Sequence, residues 1–247
     1  MRVVNAIWEK KNTGYKTCEL EFNCNDTIND YLKNNIEKDY EFIIAKVPVT
    51  NIVLVHHLED KGYRFLETQF TISSVATQAL DMIDQKWDRV LTGTCYKKID
   101  NRVDLEFILK NIREGIFAYD RISMDERFGK EIASRRYINW ILDMFEGNKS
   151  EIFMLEKNSS KVGFFIIKEV DKNNLQSVIA AIFNKSQGQG LSIALYYYCL
   201  KIAVKRNIRS VFTSFSSNNQ NMLNTFTKTV LFKTVKINYV LRKVIES

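Results

Sequence analysis

The chain has 247 residues, of which 45% are hydrophobic and 12% are aromatic, a composition that excludes a disordered protein. Its net charge of +7 indicates attraction to anions such as nucleic acid, acidic membranes or phosphate-rich small molecules, without choosing among them. The lysines are scattered, no apolar run approaches the roughly 20 residues of a membrane span, and the N-terminus lacks a signal-peptide core. We therefore expect a soluble, cytoplasmic protein that binds neither nucleic acid nor membranes.

The first 90 residues alternate strand-like and helix-like segments, which predicts a small N-terminal α/β domain. A buried strand is expected over Tyr40–Val47, a helix over Asn51–Lys61 and a second strand over Tyr63–Ile72. The amphipathic segment Asp81–Thr94 is interpreted as a connection. The boundary is placed near residue 90, so that 1–90 and 91–247 form two domains.

The second part begins with helices and continues with strands. Helices are expected over Val103–Ile112 and Lys130–Phe145, and a three-stranded antiparallel meander over Glu151–Glu156, Val162–Val170 and Gln176–Phe183. A helix (Ser192–Arg206), a strand (Ile208–Phe215), a short helix (Asn221–Thr229) and a last strand (Lys233–Lys243) follow. The order predicts a mixed, mostly antiparallel sheet in which the strands flanking Ser192–Arg206 are parallel.

Four cysteines and two histidines are the classical candidates for metal ligands. The spacings of Cys18, Cys24, Cys95 and Cys199 match no zinc pattern, so we expect free and mostly buried thiols. His56 and His57 point to different faces of one predicted helix. The sequence therefore predicts no metal site.

A loop with two glycines, at Gly188 and Gly190, separates a predicted strand from the helix that starts near Leu191. A helix N-terminus carries unpaired N–H groups and partial positive charge, and glycine lets the backbone approach a ligand closely. The pattern is typical of a pyrophosphate site, to which the Ser192 hydroxyl could add a donor, but also of a plain turn. Neither a P-loop nor a dinucleotide motif is completed.

The segment Gln187-Gly188-Gln189-Gly190-Leu191-Ser192 resembles the Q/R-x-x-G-x-G/A loop of the GCN5-related N-acetyltransferase (GNAT) superfamily. It departs at the last position, where serine replaces glycine or alanine. The downstream residues Asn219 and Phe226 match that family's N-x-x-A-x-x-x-Y segment, with phenylalanine at the tyrosine position. The element order from about residue 100 onward also matches.

The resemblance implies a GNAT fold with splayed parallel strands and acetyl-CoA or another acyl-CoA as the acyl donor. It implies that the donor is bound by Ile182, Phe183, Gln187, Gly188, Gln189, Gly190, Leu191, Ser192, Asn219 and Phe226. A backbone N–H near Ile182 or Phe183, with Phe183 preferred, would stabilise the oxyanion. Phe183 and Phe215 would line the acyl pocket.

A narrower resemblance links the chain to nucleotide-sugar N-acyltransferases such as the bacterial dTDP-fucosamine acetyltransferases. It rests on Arg121-Ile122-Ser123-Met124-Asp125, on Tyr137 and Trp140, and on Lys46-Val47-Pro48, Gly62-Tyr63 and Glu67 in the first part. It implies a nucleotide-linked amino sugar as acceptor, bound by Arg121, Asp125, Tyr137 and Trp140.

The acid–base groups stay open at this level. Asp125 is the first candidate for the base, followed by Asp120, Glu169 and Asp171, while solvated loop charges remain the plainer interpretation. Because Phe226 carries no hydroxyl, the thiolate leaves unassisted or is protonated by Tyr239, Tyr196, Tyr197 or Tyr198.

Three functions remain as hypotheses. The first is transfer of an acetyl or other short acyl group to a dTDP-linked deoxyamino sugar, in a possible homodimer. The second is a GNAT enzyme that acts on a protein or small-molecule amine, and the third is a non-catalytic acyl-CoA-binding module.

Overall fold

A ten-stranded mixed sheet organises the fold in a computed structural model that describes residues 1–117, 120–147, 149–228 and 232–245. The strands are β1 (Arg2–Asn5), β2 (Thr17–Glu21), β3 (Phe42–Pro48), β4 (Arg64–Val75), β5 (Thr94–Lys98), β6 (Glu151–Lys157), β7 (Ser160–Asp171), β8 (Asn174–Ile182), β9 (Ser210–Ser216) and β10 (Lys233–Val244). The helices are α1 (Ile7–Thr13), α2 (Ile28–Leu32), α3 (Ile52–Asp60), α4 (Ala76–Leu91), α5 (Arg102–Arg113), α6 (Gly129–Glu146), α7 (Ser192–Lys205) and α8 (Gln220–Lys228).

The strand order is β1-β2-β3-β10-β4-β9-β8-β7-β6-β5, and among the described strands the pairs β2–β3 and β8–β9 are parallel and the others antiparallel. This confirms the predicted fold class, an α/β fold built on a mixed and mostly antiparallel sheet; the structure adds that helices pack on both faces of the sheet. The meander β6–β7–β8 and the parallel crossover from β8 through α7 to β9 are confirmed as well.

Strand β10 joins the two parts of the chain. It pairs antiparallel with β3 on one side and β4 on the other, so that Asn238 lies between Pro48 and Gln69. Strand β9 then pairs with β4, so one sheet runs from the first part of the chain into the second. The domain division 1–90 and 91–247 stays a prediction.

Several short elements were not predicted from the sequence, namely β1, α1, β2, α2 and β5. The largest difference concerns Asp81–Thr94, predicted as a connection, because residues 81–91 form the C-terminal part of the 16-residue helix α4. It buries Ala76, Ala79 and Ile83 against a core shared with α7. Thr229, the predicted end of the last helix, lies outside the described residues.

Alternating strand residues divide the apolar core between the two faces of the sheet. In β6, Phe153 and Leu155 pack with α4 and α7, whereas Ile152 and Met154 pack with α5 and α6. Helix α7 is buried on nearly every side, which explains why its run of three tyrosines is buried. The cysteine prediction holds only in part, because all four thiols are free but Cys24 and Cys95 are exposed.

Candidate active site

The parallel strands β8 and β9 separate along their length. They pair only from Asn174–Ser210 to Gln176–Phe212, although β8 continues to Ile182 and β9 to Ser216. At the branch point the hydroxyl of Thr213 donates to the carbonyl of Ser177 at 2.9 Å. Beyond it, both strands border a cleft of about 1660 Å³.

The cleft brings most of the predicted site residues together from distant parts of the chain. Of the predicted donor-binding residues it is lined by Ile182, Gln187, Gly188, Gly190, Leu191, Ser192, Asn219 and Phe226. Of the predicted acceptor-binding residues it is lined by Arg121, Tyr137 and Trp140. Phe183, Gln189 and Asp125 do not line it.

The glycine loop has the backbone shape that its sequence suggests. Gly188 and Gly190 adopt φ values of 79° and 74°, in the left-handed region that disfavours residues with a Cβ. Within the described residues, no hydrogen-bond acceptor is recorded for the backbone N–H groups of 188–191. Side chains do not plug this turn, since Gly188 has open space around the position of a Cβ. The loop thus presents unpaired donors at the start of α7, where an anion is stabilised.

The oxyanion donor is corrected by one residue. The N–H of Phe183 donates to the carbonyl of Val162 at 2.9 Å, and the Phe183 ring is buried against Phe107 and Phe164. Phe183 therefore cannot serve as predicted. Because hydrogen-bonded and non-bonded pairs alternate in an antiparallel ladder, the N–H of Ile182, opposite Gly163, faces the other edge, toward the cleft.

Phe226 lies in the cleft wall as an apolar residue. Its ring packs against Phe215 and Phe232, with centroids 5.0 Å and 4.4 Å away. Of the four tyrosines considered as proton donors, only Tyr196 lines the cleft. Its hydroxyl donates to the carbonyl of Val211, and burial raises its pKa well above the usual range.

Asp125 is not placed where a base would be needed. Its carboxylate is buried and forms a two-point ion pair with Arg242, with Oδ2–Nε at 2.8 Å and Oδ1–Nη2 at 3.2 Å. Ile122 and Phe128, three residues to either side of Asp125, belong to an apolar core whose buried members do not line the cleft. The geometry contradicts the predicted catalytic and acceptor-binding roles of Asp125 and gives it a structural one.

The other carboxylates considered as bases also separate. Glu169 pairs with Arg206 on the surface, and Asp171 caps a hairpin turn by accepting from the N–H of Asn173. Only Asp120 lines the cleft. One of its oxygens accepts from the amides of Ile122 and Ser123 and so fixes the loop before α6.

Arg121 reaches the cleft but is already paired. It donates to Glu19 at 2.6 Å, and Lys46 donates to the other oxygen of the same carboxylate at 2.6 Å. Burial opposes ionisation of Glu19, yet the charges of Arg121 and Lys46 outweigh it and lower its pKa to about 2. For Arg121, burial is likewise outweighed by Glu19, Glu67 and Glu9, which hold its pKa above the ordinary value.

Aromatic residues form the wall opposite this ionic group. Tyr137 stacks on Phe117 with centroids 4.1 Å apart and on Trp140 at 6.3 Å. Trp140 is 38% exposed and Trp8, which also lines the cleft, is 41% exposed. Burial and the neighbouring Asp120 raise the pKa of Tyr137 above its usual range. Phe117 thus covers one face of Tyr137, and the more exposed part of this wall is Trp140, whose ring also has the Arg136 guanidinium 5.8 Å from its centroid.

Sequence reasoning passed over the polar residues of the cleft floor. Glu67, Gln69 and Thr71 alternate along β4, and Lys236 and Asn238 occupy the matching face of β10. The alternation is visible in the sequence RFLETQFTI, but Glu67 entered only through a resemblance. Within the described ranges, no group of three or more potential ligands is arranged to hold a metal ion. In the same ranges no helix combines the length and apolarity that a membrane crossing requires.

Comparisons with known proteins agree with this geometry. No family model matches the sequence, and no curated protein matches it. Among solved structures, the chain is similar to a conserved protein of unknown function from Staphylococcus epidermidis (14% identity, 93% of this chain and 84% of that one, TM-score 0.64). It is also similar to a tandem GNAT protein from the clavulanic acid biosynthesis pathway (11%, 94% and 76%, TM-score 0.58).

A third similar structure is a GCN5-related N-acetyltransferase from Sphaerobacter thermophilus (13% identity, 89% of this chain and 66% of that one, TM-score 0.56). At these identities the likeness concerns the fold alone. The chain therefore has the fold of the GCN5-related N-acetyltransferases.

Proposed function

We propose that the protein is an acyl-CoA-dependent N-acyltransferase that moves an acetyl or other short acyl group to an amine. The observation that carries the proposal is the position of the unpaired amides of 188–191 at the mouth of the gap between β8 and β9. A diphosphate bound at the start of α7 would direct the attached pantetheine arm between the strands. Bound there, acyl-CoA supplies an activated thioester carbonyl.

The chain positions the reactants and stabilises charge. The amine nitrogen attacks the carbonyl carbon, a C–N bond forms, the C–S bond breaks, and the proton lost by nitrogen ends on the thiolate through solvent. The N–H of Ile182 faces the developing oxyanion, a type of contact that contributes about 3 kcal/mol to lowering a barrier. Phe226 cannot protonate the departing thiolate. The thiolate can leave without a proton donor, because the pKa of a thiol is far below that of an alcohol.

A dTDP-linked deoxyamino sugar is one acceptor consistent with the proposal. The aromatic stack of Tyr137 and Trp140 supports a ring-shaped acceptor, whereas the pairing of Arg121 with Glu19 weakens the argument for a nucleotide diphosphate. A non-catalytic acyl-CoA-binding module is the second candidate, favoured by Phe226 at the position of the family's tyrosine. A cytoplasmic location and a homodimer remain accompanying proposals.

The test is release of free thiol from acetyl-CoA in the presence of a panel of amines. Turnover with at least one amine supports the transferase. Binding of acetyl-CoA with no thiol release on any amine supports the binding module, and absence of binding would contradict both.

A further inference from the structure

The acceptor end of the cleft has a polar floor formed by two adjacent strands. Glu67 and Gln69 of β4 face the same side as Asn238 of β10, because Asn238 lies opposite Gln69 and Val240 opposite Glu67. Glu67 and Asn238 are thus diagonal neighbours, about 7–8 Å apart or less at Cβ. The same face turns apolar further along, at Val240, where α6 covers it. Glu67, directly opposite Val240, therefore lies at the boundary between the covered and the open part of this face.

Among the described residues, two buried side chains on this floor accept no hydrogen bond at their oxygens, and Glu67 has the charge of Arg121 nearby. Glu67 is 4% exposed, and among the described residues none donates a hydrogen bond to its carboxylate. Asn238 is also 4% exposed, and its Oδ1 has no hydrogen-bond partner among the described residues. A buried amide oxygen without a donor is costly unless a ligand supplies an N–H group, and the Glu67 carboxylate, with the Arg121 charge nearby, can accept a further hydrogen bond. Both atoms are acceptors, so the missing partner is a donor.

The cations that line the cleft are mostly committed. Within the described part of the chain these are Lys46, Arg121, Arg136 and Lys236. Lys46 and Arg121 share Glu19, and Arg136 pairs with Glu9 at 2.7 Å. Lys236 is exposed and has no ion-pair partner among the described residues. A diphosphate on the acceptor would therefore find one uncommitted cation and would have to compete with carboxylates for the other three. The site is therefore better matched to a ligand that donates hydrogen bonds than to a ligand that carries phosphate groups.

The wall across from the floor is aromatic and flat. Tyr137 and Trp140 are stacked, and both line the cleft together with Trp8 of α1. Aromatic faces of this kind contact the apolar face of a ring, and they also attract a cation nearby. A polar floor that accepts hydrogen bonds and an aromatic wall together fit a ring that carries both polar groups and an amine.

We propose that the acceptor is a protonated amine on a polar ring without phosphate groups, held by Glu67 and Asn238 with its ring against Trp140. This inference rests on the proposed acyl transfer and narrows its acceptor. Glu67 binds the ammonium group directly; the ammonium loses one proton to solvent water, and the neutral nitrogen then attacks the thioester. The first part of the chain thereby provides acceptor recognition, through β4 together with β10.

The experiment compares acceptors and variants in the thiol-release assay. The acceptors are glucosamine, glucosamine 6-phosphate, a dTDP-linked amino sugar and the linear amine spermidine. We expect glucosamine to be preferred over both phosphorylated sugars. Glu67→Gln should lower kcat/KM for the acceptor by about 10- to 100-fold, because a hydrogen bond to a charged group is weakened. The change should be seen as a rise in the KM of the acceptor while the KM of acetyl-CoA stays within about 2-fold, whereas partial unfolding would lower the apparent kcat and leave both KM values unchanged.

Two further variants separate the contributions. Glu169→Gln, the same change at a surface ion pair outside the cleft, should leave all constants unchanged. Trp140→Ala should lower kcat/KM for glucosamine and not for spermidine. Preference for the dTDP-linked sugar, or an unchanged acceptor constant in Glu67→Gln, would overturn this inference while leaving acyl transfer intact. Absence of thiol release with every amine, despite acetyl-CoA binding, would overturn both.

Discussion

Asp125 and Arg242 lie 117 residues apart in sequence and form a two-point ion pair that is almost fully buried. The pair joins the loop before α6 to β10. Removing one partner would leave an uncompensated buried charge, which is far more destabilising than loss of a surface pair. We therefore expect Asp125→Ala to lower the free energy of unfolding by about 3–5 kcal/mol, measured by urea denaturation.

The matched control is Glu169→Ala, which breaks an exposed pair with Arg206 and should cost no more than about 1 kcal/mol. Turnover per folded molecule should survive in both variants. If Asp125→Ala kept full stability and lost turnover, Asp125 would be a catalytic base after all.

The backbone of Gly190 gives a direct test of the donor loop. Gly190→Val places a β-branched residue at φ 74°, which costs about 1–3 kcal/mol and shifts the amides of the loop. We expect the KM of acetyl-CoA to rise about 10-fold or more. Gly62→Val is the control, because Gly62 has a similar φ of 85° and ordinary space for a Cβ at the end of α3. An equal effect of both variants on the donor would show that the loop has no special role.

The amide of Ile182 can be removed by proline. Ile182→Pro deletes the N–H that faces the cleft and no hydrogen bond of the β7–β8 ladder, so the protein should fold while kcat falls by about 10²–10³-fold. Ile182→Ala keeps the amide and should retain most of the turnover. Ala181→Pro is expected to destabilise the sheet instead, since Ala181 is a hydrogen-bonded partner of Phe164. Full activity of Ile182→Pro would exclude this amide as the oxyanion donor.

Tyr196 is the one tyrosine hydroxyl among the four candidates that lies at the cleft. Because it donates to the carbonyl of Val211, we expect Tyr196→Phe to cost about 1 kcal/mol of stability and to leave kcat within about 3-fold. The check is a pH–rate profile of the variant beside the wild type. Loss of an alkaline limb together with a large fall in kcat would identify Tyr196 as a proton donor.

The pairing of Glu19 predicts how stability depends on pH. Burial alone would raise its pKa, but Arg121 and Lys46 lower it from 4.5 to about 2 in the folded protein. A depressed carboxylate pKa stabilises the fold above the unfolded value, near pH 4.5, and this contribution is lost as the pH falls toward 2. The contribution is on the order of 3 kcal/mol. Urea denaturation between pH 7 and pH 2 should show that Glu19→Gln is less stable than the wild type at pH 7. Below pH 4.5 the free energy of unfolding of this variant should depend less on pH than that of the wild type.

The sequence was most informative where local pattern and chain order agree. The two glycines before α7, followed by a helix and a strand, predicted both the donor loop and the parallel pair β8–β9. Polar alternation at Glu67, Gln69 and Thr71 was equally readable, but nothing local indicates that β10 joins β4 and completes the floor.

Long-range contacts account for the misplaced residues. Asp125 matched a motif, yet its role is decided by Arg242 on the last strand, and that of Arg121 by Glu19 more than 100 residues earlier. The prediction of Phe183 missed the free amide by one residue. The register between β8 and β7 decides which N–H groups of β8 pair with β7 and which face the cleft. Such pairings follow from the folded topology rather than from spacing in the chain.

Calorimetric titration with acetyl-CoA and with S-acetylpantetheine, which lacks the diphosphate, tests most directly whether the amides of 188–191 bind a pyrophosphate. The account predicts that acetyl-CoA binds the wild type, that S-acetylpantetheine binds far more weakly, and that Gly190→Val removes this difference. Equal affinity for the two compounds, or an undiminished preference for acetyl-CoA in Gly190→Val, would contradict it.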